Sequence, residues 1–161
     1  MVSRAATPWH LLRSPAGLIA TGFGAGLAPR APGTAGTALA LLPWLALREL
    51  PLWGYLLALA LAFALGVWAA DRVIAKIRIE DPGLVVWDEF VGLWITLIAA
   101  PPGWPWMLAG FVLFRVFDIA KPWPVAWADR TIKGGFGAMF DDALAGLYAL
   151  VVMQGLRWWL V

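Results

Sequence analysis

The chain has 161 residues, the size of one domain, and 62% of them are apolar, with a mean hydropathy of +0.79, well above the ~45–50% apolar usage of soluble domains. It has no Cys, which excludes disulfides, thiolate metal sites and cysteine nucleophiles. The net charge of +2, with no basic tract, leaves nothing for nucleic acid to bind, whereas twelve Trp residues suit a membrane–water interface.

The N-terminal stretch MVSRAATPWHLLRSPAG has no continuous apolar core followed by a cleavage site, and reads as mature sequence rather than a signal peptide. His10, the single histidine, lies within it and reads as an interfacial residue. A Gly/Pro/Thr-rich loop, Thr21 to Thr37, then leads into a short apolar segment, Thr34 to Leu47. The uncharged run Pro51 to Ala70 is long enough to cross ~30 Å of hydrocarbon. Val85 to Ala100 and Trp104 to Ala120 are shorter and flank a PPG turn, as a helical hairpin would. Ala143 to Val161 is a further span, with Arg157 able to snorkel beside Trp158 and Trp159. The expected fold is all-α: a single polytopic membrane domain over residues 1–161 with four or five membrane segments, the weak first one being alternatively re-entrant or interfacial.

With Arg48–Glu49, the PPG turn and the C-terminus on one side, Arg4, Arg13, Arg30, Arg72, Lys76, Arg78, Arg115, Lys121, Arg130 and Lys133 fall on the other. That is ten of the twelve basic residues, so the positive-inside rule makes this side cytoplasmic. Every acid except Glu49 also lies there. Topology requires no acids, so their surplus points to chemistry.

Asp88–Glu89 reads as a pair about one turn inside an apolar helix, where carboxylates require cations, water or metal. Arg115, Asp118 and Lys121 recur every three residues, along one helix face. Arg and Lys there are natural phosphate ligands, although an ion pair with interfacial anchoring gives the same pattern. Asp141–Asp142 precedes an apolar run, where one carboxylate would serve as a helix cap and leave the other for a metal. Oxygen donors without Cys favour Mg²⁺ over zinc. In the Gly-rich loop, Arg30, Gly33, Thr34, Gly36 and Thr37 are phosphate-loop candidates, while Gly22, Gly24 and Gly26 read as close-packing positions between helices. Asp71, Arg72, Lys76 and Arg78 read as a solvated connection.

Five segments in order carry a resemblance: PWHLL at Pro8 to Leu12, GFGAGLAPRAPGTAGT at Gly22 to Thr37, VWDEFVGLWITL at Val86 to Leu97, FRVFDIAKPWPVAWADR at Phe114 to Arg130, and GGFGAMFDDALAG at Gly134 to Gly146. On these the chain resembles the phosphatidylglycerophosphatase A family of bacterial inner-membrane lipid phosphatases. The resemblance implies an all-helical fold and Mg²⁺-dependent hydrolysis of phosphatidylglycerophosphate to phosphatidylglycerol and phosphate. In that reading Asp88, Glu89 and one or both of Asp141 and Asp142 hold one or two metal ions. Arg30, Thr34, Thr37, Arg115, Lys121, Arg130 and Lys133 bind the phospholipid substrate. Asp118 or Asp129 is a further ligand, general base or nucleophile. A CDP-alcohol phosphatidyltransferase is disfavoured because its Asp-rich motif is missing, and a transporter because no charged track crosses the apolar segments.

Overall fold

The computed structural model describes residues 8–160, and its regular elements are all helical. Arg4 lies outside the described residues. Seven α-helices follow in order: α1 (Pro15–Ala20), α2 (Pro32–Leu47), α3 (Leu52–Ile77), α4 (Trp87–Thr96), α5 (Trp104–Ala120), α6 (Val125–Thr131) and α7 (Gly134–Leu160). Short 3₁₀ turns at Pro8–Arg13 and Ala25–Leu27 flank α1.

Two helices, α3 and α7, are long and apolar enough to cross a membrane. In α3 a Leu/Ala-rich stretch without an internal proline sustains 26 residues, beginning after Pro51 and ending at Arg78 in the left-handed conformation. Its inward face carries Tyr55, Leu59, Ala62, Gly66, Ala69 and Val73, at helical spacing. Its outward face carries the larger Leu56, Leu57, Leu61, Leu65 and Trp68, all exposed. Small residues inward and large apolar ones outward are the arrangement of a helix facing lipid.

The helix α7 begins earlier than the sequence suggests. It starts at Gly134, so Asp141–Asp142 lies two turns inside it and cannot be its cap. The N-terminal turn is held instead by Asp71 of α3, whose Oδ1 accepts from Gly135 N at 2.6 Å. Asp71 stays exposed, as the sequence suggests, and in addition ties α3 to α7.

The stretch read as Val85 to Ala100 is helical only over the ten residues of α4, about 15 Å of rise. Almost every side chain of α4 is buried, because α2, α3, α5 and α7 surround it. Two indoles fasten it: Trp87 Nε1 donates to Ala62 O of α3 at 2.9 Å, and Trp94 Nε1 to Ala40 O of α2 at 2.9 Å. Tyr55 OH of α3 donates to Trp94 O at 2.6 Å. These bonds satisfy polar groups that an apolar surround would otherwise leave orphaned.

Against α7, α4 runs parallel at very close range. A methyl on Gly146 would strike the Gly92 carbonyl, and one on Gly92 would strike the Phe114 ring. Farther along, Gln154 Nε2 donates to Ile98 O at 2.8 Å and Arg157 Nη1 to Ala99 O at 3.1 Å. The C-terminal end of α7 therefore lies beside the turn between α4 and α5, the end of the bundle where the sequence places both.

Candidate active site

At the opposite end, the N-termini of α2, α4 and α7 meet the C-terminal end of α5 around a cavity of about 440 Å³. Three helix starts bring partial positive charge and free N–H groups to one place, a setting that favours anions. The cavity wall carries eight carboxylates, from Glu80, Asp81, Asp88, Glu89, Asp118, Asp129, Asp141 and Asp142. Among the described residues four cations face them: Arg115, Lys121, Arg130 and Lys133.

Asp88 and Glu89 occupy the first turn of α4, nearer the helix start than the sequence reading had them. Glu89 turns toward α5 and α2. Arg115 Nη1 lies 2.6 Å from each of its oxygens and 2.5 Å from Asp118 Oδ2. Thr37 adds its hydroxyl to Glu89 Oε2 at 2.7 Å. The result is a clasp joining α2, α4 and α5. Gly33 gives it room, since a methyl there would collide with Glu89 Oε1.

The second clasp is built on Lys121. This residue follows α5 in a left-handed conformation, which turns it out of the helix line of Arg115 and Asp118. Its Nζ lies 3.0 Å from Asp141 Oδ2 and 3.2 Å from Asp129 Oδ1, joining the end of α5 to α6 and α7. Burial works against its charge, but Asp141 and Asp129 outweigh that and hold its pKa above the ordinary lysine value.

Asp88 and Asp142 differ from the other buried acids. Both line the cavity, yet among the described residues neither has a cation within ion-pair distance. Asp88 Oδ1 accepts only from Glu89 N, at 2.9 Å. The donor set of Asp88 and Asp142 suits a hard divalent cation, with carboxylate oxygens and no sulfur or imidazole. No three acids are gathered into one ready coordination sphere among the described residues.

The other sequence candidates divide. Arg130 and Lys133 reach the cavity rim and are exposed, Lys133 also donating to Asp129 O at 3.2 Å. Thr37 contacts Glu89 and not the cavity, so it positions an acid instead of meeting phosphate directly. Arg30 and Thr34 do not reach the cavity wall, nor does the exposed His10. From the Gly-rich loop only Gly33 of the candidates lines it, beside Ala31 and Pro32. Gly22 and Gly26 are packing positions, as the sequence suggested, closely approached by Phe90 and by the Leu84 carbonyl. Glu80 and Asp81 are rim acids that the sequence reading passed over. Their one signal was proximity to Pro82–Gly83, a turn that returns the chain to α4.

A sequence model of the family described as phosphatidylglycerophosphatase A matches residues 18–157. A relative of that name from Escherichia coli is 43% identical over 147 residues, covering 91% of this chain and 81% of the relative. Another of that name, from Haemophilus influenzae, is 43% identical and covers 93% of each chain. A Bacteroides thetaiotaomicron protein, provisionally named a phosphatidylinositol-3-phosphatase, is 45% identical over 88% of this chain and 92% of its own. No solved structure matches the chain.

Proposed function

Because the chain belongs to the phosphatidylglycerophosphatase A family, we propose that it hydrolyses phosphatidylglycerophosphate to phosphatidylglycerol and inorganic phosphate, using Mg²⁺ held at the carboxylate cavity. The observation that carries this reading is the division of the acids. Glu89, Asp118, Asp129 and Asp141 are clasped by Arg115 and Lys121, while Asp88 and Asp142 face the cavity without a cation. Asp88 and Asp142 are the direct metal ligands in this proposal, and Glu89 and Asp141 fix the walls beside them. A Mg²⁺ ion there would neutralise the phosphomonoester and lower the pKa of a bound water.

The chain's own groups do the rest. Arg130 and Lys133, with no carboxylate in ion-pair distance among the described residues, capture the dianionic headgroup at the rim. Arg115 and Lys121 meet phosphate oxygens deeper in, held in place by Asp118 and Asp129, and stabilise the charge that develops on phosphoryl transfer. The diacyl tails remain among the exposed apolar side chains of the bundle while the headgroup enters the polar end. The basic bias at this end supports a multi-pass protein of the bacterial inner membrane with its site toward the cytoplasm.

The test is phosphate release by purified protein from phosphatidylglycerophosphate, phosphatidylinositol 3-phosphate and short soluble phosphomonoesters, each with Mg²⁺ or EDTA. Activity on phosphatidylglycerophosphate should exceed the others and vanish on chelation. Preference for phosphatidylinositol 3-phosphate, the activity in the Bacteroides relative's name, would overturn the substrate assignment. Undiminished turnover in EDTA would overturn the metal.

A further inference from the structure

We propose that the cleft between α1 and α3 binds an anionic membrane phospholipid at a second site, separate from the catalytic cavity. The cleft has a volume of about 350 Å³ and shares no lining residue with the carboxylate cavity. Its walls are apolar, chiefly Leu11, Pro15, Ala16 and Val73, and its charged groups are Arg72 and Lys76.

Besides Val73, α3 lines it with Trp68, Arg72 and Lys76, spaced by four and therefore stacked on one helix face. The charge-free part of α3, Leu52 to Ala70, rises about 28 Å, close to the thickness of a hydrocarbon core. Arg72 and Lys76 thus stand just past the apolar boundary, at the depth of lipid phosphates, and Trp68 stands at that boundary. Neither cation has a carboxylate within ion-pair distance among the described residues. Asp71, adjacent in sequence, is engaged by Gly135 N and does not neutralise them.

An apolar trough with cations at one end matches an acyl chain joined to an anionic headgroup. Free phosphate would find no use for the trough, and a zwitterionic lipid would gain little from the two cations. Basic pockets between membrane helices on the cytoplasmic side select anionic lipids on this same basis.

The test uses full-length protein in detergent, titrated with phosphatidylserine or phosphatidylcholine, with bound lipid counted by native mass spectrometry. Phosphatidylserine is neither substrate nor product of the proposed reaction, so the result is independent of whether that reaction is correctly assigned. The wild-type chain should retain phosphatidylserine preferentially, and R72Q/K76Q should lower its retention roughly tenfold. Pro15→Trp, which fills the trough while both cations remain, should lower it as well. Preserved phosphate release would show that both variants are folded. Equal retention of the two lipids, or unchanged retention in R72Q/K76Q, would overturn the proposal. So would retention that emerges only after removal of residues 1–7, because the chain's own N-terminus would then be the occupant.

Discussion

Gly146 of α7 rests on the Gly92 carbonyl of α4, and one turn before each glycine an aspartate, Asp142 or Asp88, lines the cavity. The helices run parallel, so their closest contact sets the spacing between the two acids. A methyl on Gly146 meets backbone, which cannot swing aside.

Gly146→Ala should therefore separate α4 from α7 at the level of the site. Overpacking of this kind costs about 1–3 kcal/mol, and a displacement near 1 Å can reduce turnover by about a hundredfold. Thermal unfolding and phosphate release, measured on one preparation, should show the activity loss outrunning the stability loss. Full activity would mean that the glycine contact does not set the site.

The clasped and unclasped acids should respond oppositely to neutralisation. Asp88→Asn and Asp142→Asn remove like charges that no cation balances, so stability should hold or rise while phosphate release falls by at least about a hundredfold. Arg115→Met strands Glu89 and Asp118, both largely buried, and should destabilise the fold by about 3 kcal/mol. Melting in detergent separates the two classes. A loss of stability in Asp88→Asn equal to that in Arg115→Met would remove the distinction.

Much of this site is legible in sequence because charge is so sparse in the chain. Asp88, Glu89, Arg115, Asp118, Asp141 and Asp142 stand out against apolar neighbours, and the structure gathers all six at one cavity. The partnerships were hidden, since Arg115 meets Glu89 across 26 positions and Lys121 meets Asp141 across 20. The start of α7 was also missed, because Gly134, Gly135 and Gly137 have poor helix propensity and read as loop. In the fold those glycines allow close contact with α3 and with the Ile132 carbonyl. One pattern was available and overlooked: Asp88 to Gly92 and Asp142 to Gly146 repeat the same four-residue step, an acid one helical turn before a close-packed glycine. The Gly-rich loop misled in the other direction. Its glycines mostly serve packing, and Thr37 is drawn inward by Glu89.

Gly33 tests the first clasp without altering a charge. Gly33→Ala places a methyl against Glu89 Oε1 and within 3.1 Å of Arg115 Nη1. The Glu89 carboxylate must withdraw, weakening its bonds to Arg115 and Thr37, and phosphate release should fall about tenfold or more. Shortening the acid in G33A/E89D returns the space of one methylene, so part of the activity should come back. Equal activities in Gly33→Ala and the wild-type chain would show that the clasp tolerates displacement.

Lys121 makes a claim about pH. Its folded pKa is raised, so its pairs with Asp129 and Asp141 stabilise the fold fully below the unfolded lysine value of about 10.4 and lose that effect as pH rises through the folded value. A third of the side chain remains exposed, and solvent screening limits the contribution to about 1 kcal/mol. The stability gap between the wild-type chain and Lys121→Met should stay constant from about pH 7 to pH 9 and shrink only above about pH 10.4. Denaturation in detergent across that range measures it. A gap that closes below pH 9 would mean that the two carboxylates do not hold the lysine charged.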